Sequence, residues 1–122
     1  MLKTTLNEKE AIAILQPDGA LSSKDFDQAV QIIDPFLEQG GKLNGLIIYT
    51  ENFPGWDSFT SLIRHLKFIK NHQRKVTHLA FVTDSIIGEF AIKIGSHFVA
   101  AEVKTFPYKA FDKAKDWILN TK

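Results

Sequence analysis

Two unbroken apolar runs, Leu46-Ile47-Ile48-Tyr49 and Leu79-Ala80-Phe81-Val82, restrict the fold of this chain more than any other feature. A strand that is apolar at every position is covered on both faces, as are the inner strands of parallel sheets. Helical stripes follow both runs. Phe59, Leu62, Ile63, Leu66 and Ile69 share one face of a helix capped by Asp57 and ending near Asn71. Ile86, Ile87, Phe90, Ala91 and Ile94 share one face of a second helix, capped by Thr83 or Asp84 and stopped by Gly95.

The flanking segments continue this alternation. Leu2–Leu6 and Ala11–Leu15 read as an opening hairpin around the polar Asn7-Glu8-Lys9, and Pro17-Asp18-Gly19 supplies turn chemistry after it. Ser22 or Ser23 caps a helix with Asp25 and Asp27 at its positive end. Its stripe is Phe26, Ala29, Val30, Ile33, Phe36 and Leu37, with a kink or early end expected at Pro35 and a stop at Gly40-Gly41. Phe98–Thr105 reads as a strand with Ala100, Ala101 and Val103 suited to its interior. A last helix carries Phe111, Ala114, Lys115, Ile118 and Leu119, with Trp117 beside the stripe. The expected order is β-β-α-β-α-β-α-β-α. This is a single α/β domain over residues 1–122, a mostly parallel five-stranded sheet with an antiparallel N-terminal strand, covered by four helices.

Several chemistries are excluded or weakened. With no cysteine there is no disulfide, thiolate metal site or Cys nucleophile. No nucleophile elbow, Walker loop, zincin motif or dinucleotide fingerprint occurs. His65 and His72 share a helix face about 10 Å apart, too far for one metal ion. Neither cofactor nor metal is expected. Glu51 and Asp57 flank a strand-to-helix loop, where α/β sheets bind ligands, and leave an enzyme as a third reading beside two non-enzymatic ones. No apolar run approaches the roughly 20 residues of a membrane span. The expected setting is cytoplasmic.

Charge is unevenly placed although the net value is +1. Residues 1–57 carry four Lys and nine acids, a net −5, whereas 58–83 carry Arg64, Lys67, Lys70, Arg74 and Lys75 with no acid, a net +5. That block coincides with the helix after Asp57, whose Phe68 lies opposite the apolar stripe; Ile92 is likewise off the stripe of the next helix. A solvated face balancing acids elsewhere is one reading. The other is a contact surface in which Phe68 and Ile92 meet a membrane or partner and the five cations meet anionic headgroups. Asp57-Ser58 at a helix start makes Ser58 either an ordinary first-turn serine or a phosphate acceptor near a basic stretch.

The strand Leu43–Thr50 running into a helix at Asp57, the Val82-Thr83-Asp84 helix start, and the ending Ala101-Glu102-Val103-Lys104-Thr105-Phe106-Pro107 with Asp112-Lys113-Ala114 and Trp117-Ile118-Leu119 resemble the SpoIIAA-like family of small bacterial proteins. The resemblance covers nearly the whole chain. It implies the fold shared by STAS domains, which are anti-sigma-factor antagonists, and by CRAL-TRIO carriers of hydrophobic molecules, with no enzyme activity. It also places Asp57-Ser58 where phosphorylated STAS antagonists bear their serine, although Phe59-Thr60-Ser61-Leu62 replaces the small residues that follow there.

Two functional expectations follow. In the first, the second and third helices enclose an apolar pocket lined by Phe59, Leu62, Ile63, Leu66, Phe90 and Ile94. They open to a hydrophobic small molecule or lipid, or associate peripherally with the inner membrane face through Arg64, Lys67, Phe68, Lys70, Arg74, Lys75 and Ile92. In the alternative, the chain is a STAS-type regulatory protein–protein module, switched at Ser58 or constitutive, with a homodimer as one way to cover Phe68 and Ile92. Nucleic acid is not an expected partner.

Overall fold

A computed structural model describes residues 1–19, 22–39, 42–52, 77–84 and 102–120. The strands are β1 (Leu2–Asn7), β2 (Ile12–Pro17), β3 (Gly45–Tyr49), β4 (His78–Val82) and β5 (Glu102–Phe106). Helix α1 spans Ser23–Glu38; a 3-10 turn at Tyr108–Ala110 leads into helix α2, Phe111–Asn120. The five strands form one mixed sheet in the order β1-β2-β3-β4-β5. β1 pairs antiparallel with β2, and β2 to β5 run parallel.

The expectation of four helices is corrected: among the described residues there are two. The helices expected from Asp57 and from Asp84 lie outside the described residues, as do Gly40, Gly41 and residues 98–101. The two stripes that fall within the described residues, Phe26 to Leu37 and Phe111 to Leu119, are the two helices.

Each described element has a local cause. The β1–β2 hairpin turns through residues 8–11, with Ala11 at φ 54. Asn7 steadies the turn, its Oδ1 accepting from the Glu10 N–H at 3.0 Å. Ser22 caps α1 with a reciprocal box: Asp25 N–H donates to Ser22 Oγ at 3.4 Å and Ser22 N–H donates to Asp25 Oδ2 at 2.8 Å. Of the kink or early end expected at Pro35, the early end does not occur: α1 continues through Pro35 to Glu38. Proline removes one intrahelical donor. Leu37, fully buried, anchors the last turn, and the Gln39 N–H donates to the Pro35 carbonyl at 3.1 Å.

The sheet carries a core on each face. α1 buries Phe26, Ala29, Ile33 and Leu37 against Ala13, Leu15, Leu46, Ile48, Leu79 and Phe81. α2 buries Ala114 and Ile118 against Ile12, Ile47, Ala80 and Val82 on the other face. This double cover explains why β3 and β4 have no polar alternation. Each large apolar side chain buried here contributes about 1.5–3 kcal/mol. Gly45 lets α2 approach: a Cβ there would lie 2.5 Å from Ile118 Cδ1.

β5 departs from expectation. Val103, read as interior, is 37% exposed, and four of the five β5 residues are exposed. The reason is position: β5 is the outermost strand of the sheet.

Candidate functional site

The C-terminal ends of the parallel strands converge on a polar lattice. Thr50, just past β3, donates its N–H to Val82 O at 3.1 Å. Thr83, just past β4, donates its N–H to Phe106 O at 2.9 Å and its Oγ1–H to Glu51 O at 3.1 Å. Asp84 N–H donates to the same Glu51 carbonyl at 3.2 Å. The Asp84 Oδ1 accepts from Tyr108 N–H at 3.0 Å, tying the β5–α2 turn to the end of β4. Thr50 Oγ1 donates to Asn52 O at 3.0 Å. These bonds lock three separate strand ends into one rigid rim.

A pocket of about 370 Å³ opens in that rim, lined by Gln16, Pro17, Asp18, Tyr49, Thr50, Glu51, Asn52 and Tyr108. Its aromatic wall is a stack. The Tyr49 and Tyr108 rings lie 4.7 Å apart at 14°, and Phe111 tilts against Tyr49 at 4.8 Å. Burial pushes the Tyr49 phenol above its ordinary value, with the Tyr108 hydroxyl adding to the shift. The pocket thus keeps a neutral phenol and two aromatic faces beside the carboxylates of Asp18 and Glu51. Ligands of open α/β sheets bind outside the carboxyl ends of the strands, which is where this pocket lies.

Glu51 is the one member of the expected loop pair among the described residues, and its carbonyl rather than its carboxylate holds the rim together. Asp84, read as a helix cap, bonds the Tyr108 backbone. Asp57, Ser58, Phe59, Leu62, Ile63, Arg64, Leu66, Lys67, Phe68, Lys70, Arg74, Lys75, Phe90, Ile92 and Ile94 all lie outside the described residues. Among the described residues no group of three or more His, Asp or Glu could hold a metal, and no helix is long and apolar enough to cross a membrane. A second depression, about 630 Å³, lies at the hairpin turn between Thr5–Lys9 and the exposed Ile32.

Sequence reasoning passed over two constellations. Tyr49 and Tyr108 are distant in the chain; the available signal was a tyrosine closing an apolar run and another directly after Pro107. At the opposite end of β4, the buried His78 meets Trp117 edge-on at 4.9 Å, and its Nδ1 lies 3.0 Å from the Asn44 carbonyl. A carbonyl only accepts, so a proton on Nδ1 satisfies that contact. Lys104 Nζ lies 5.3 Å from the Phe106 centroid and 5.9 Å from that of Trp117. The Glu-Val-Lys-Thr-Phe-Pro stretch and the tryptophan of the last helix therefore form one packing unit between β5 and α2.

A mixed five-stranded α/β sheet with its N-terminal strand antiparallel and its polar rim at the strand ends defines the class. The model of the SpoIIAA-like family matches residues 12–119, and the chain belongs to that family. No curated protein and no solved structure matches it.

Proposed function

We propose that the chain is a STAS-type regulatory module, non-enzymatic and cytoplasmic, that binds a protein partner at the strand-end rim. The observation carrying this reading is family membership over residues 12–119, in a chain whose described strand ends form a braced polar pocket. Tyr49 and Tyr108 offer rigid amphipathic rings of the kind enriched at the centres of interfaces. Five residues of sequence lie between Asn52 of the pocket and Ser58. Phosphate on Ser58 would add close to two negative charges to the chain, changing which partner surface is attracted.

The test is affinity capture with the intact protein, identification of a retained partner, and calorimetry of that pair. Tyr108→Ala and Glu51→Lys should each weaken binding roughly tenfold or more, and Ser58→Glu should shift the affinity in either direction. A partner bound with unchanged affinity by the Tyr108 and Glu51 variants would remove the rim as the binding surface. An affinity unmoved by Ser58→Glu would remove the switch and leave the module constitutive.

A further inference from the structure

Beyond the regulatory reading, the outer edge of β5 has a pairing geometry of its own. Glu102 N–H donates to Thr77 O and Thr83 N–H donates to Phe106 O, both at 2.9 Å. In a parallel ladder, residues alternate between facing the neighbouring strand and facing away. The even-numbered residues of β5 therefore direct their backbone groups at β4, and Val103 and Thr105 direct theirs outward. Val103 is also one of three large hydrophobics exposed among the described residues. Glu102, Lys104 and Phe106 share the face covered by α2, since Lys104 lies over the Trp117 ring.

We infer that β5 pairs antiparallel with β5 of a second copy, joining two sheets into one of ten strands, with Val103 on the two-fold axis. Outward groups must meet outward groups, so only registers that oppose odd residues to odd residues are allowed. With Val103 opposite its own copy, Glu102 faces Lys104 and Lys104 faces Glu102. These are non-hydrogen-bonded pairs, whose Cα atoms approach to about 4.5 Å. Moving the axis to Lys104 would oppose two ammonium groups. Neither Glu102 nor Lys104 forms an ion pair within the chain among the described residues. The other sheet edge, β1, has no such self-complementarity: its one charged residue is Lys3.

The test is sedimentation velocity of the full chain over the micromolar to millimolar range, at low and high salt. Wild type should shift from monomer to dimer mass, less readily in high salt. Glu102→Lys and Lys104→Glu should each raise the dimer dissociation constant roughly tenfold or more, because both cross-strand pairs become like-charged. An equimolar mixture of the two variants should regain dimer mass, since it restores both pairs as Lys against Glu. Val103→Pro removes only an outward donor, so it should abolish the dimer while leaving the circular dichroism spectrum intact. Wild type that stays monomeric throughout, variants that dimerise as well as wild type, or a mixture that stays monomeric would each overturn the inference. None of these outcomes involves the regulatory partner, so that reading stands or falls separately.

Discussion

Replacing Gly45 by alanine probes the close approach of α2 to β3. The added methyl would lie 2.5, 2.7 and 3.0 Å from Ile118 Cδ1, Cγ2 and Cγ1, well inside the roughly 3.5–4.0 Å of ordinary carbon contacts. Rotation about χ1 of Ile118 only exchanges one branch for another, so α2 must lift by about 1 Å. Lifting disturbs Ala114, fully buried, and the Trp117 contact on His78. Overpacking of this kind costs about 1–3 kcal/mol. The stiffer unfolded chain offsets about 0.4–1 kcal/mol of that. The net loss expected for Gly45→Ala is roughly 1–2 kcal/mol, or about 4–8 °C in Tm for a chain of this size. Ile118→Ala alone should cost about 2–5 kcal/mol by leaving a cavity. In the double variant the new methyl occupies part of that cavity, so the combined loss should fall short of the sum by about 1 kcal/mol or more. Urea unfolding of the four proteins measures the cycle. Additivity within about 0.5 kcal/mol would refute the account of how α2 seats on β3.

Ser22→Ala removes the hydroxyl half of the capping box and should lower stability by about 1 kcal/mol, read from the same urea curves. The Ser22 backbone N–H, foremost, holds the Asp25 carboxyl below its ordinary 3.8. Its contribution is therefore present above that value and lost as pH falls through the lower folded value; Asp25→Asn should flatten this acid loss in pH-dependent melts. Tyr49 behaves oppositely: burial raises its folded value above 10.0. Its stabilising share is full below 10.0 and disappears as pH rises through the folded value, so Tyr49→Phe should reduce the alkaline loss measured by chemical denaturation.

The parts of the fold legible in the sequence are those whose cause is local or periodic. The doubly buried β3 and β4 announce themselves as continuous apolar runs, and the Ser22 cap and the Ala114–Ile118 stripe are readable within a single turn or two. Val103 is exposed because burial is set by the neighbours of a strand, and a β-branched residue marks a strand without saying whether it lies at an edge or in the centre. Pro35 was weighted as a breaker because the sequence shows the lost donor but not the tertiary burial of Leu37 that outweighs it. The strand-end rim was half legible. Its location follows from parallel connectivity, and Glu51 was singled out there, but the Tyr49–Tyr108 stack depends on which loops the sheet brings together. The Glu-Val-Lys-Thr-Phe-Pro pattern carried the family resemblance, and the packing of Lys104 and Phe106 on Trp117 gives that pattern its physical sense.

The strand order has a temporal consequence. Every strand lies beside the one made before it, so the sheet can be laid down edge to edge as the chain leaves the ribosome. The helix that covers the second face is the last described element to be synthesised. At about 5–20 residues per second, the stretch from Val82 to Asn120 takes roughly 2–8 s to appear. For that interval Ile47, Ala80 and Val82 lack the cover that α2 supplies in the finished protein. In the order of synthesis, the residues that α1 covers therefore precede the arrival of the helix that covers the opposite face.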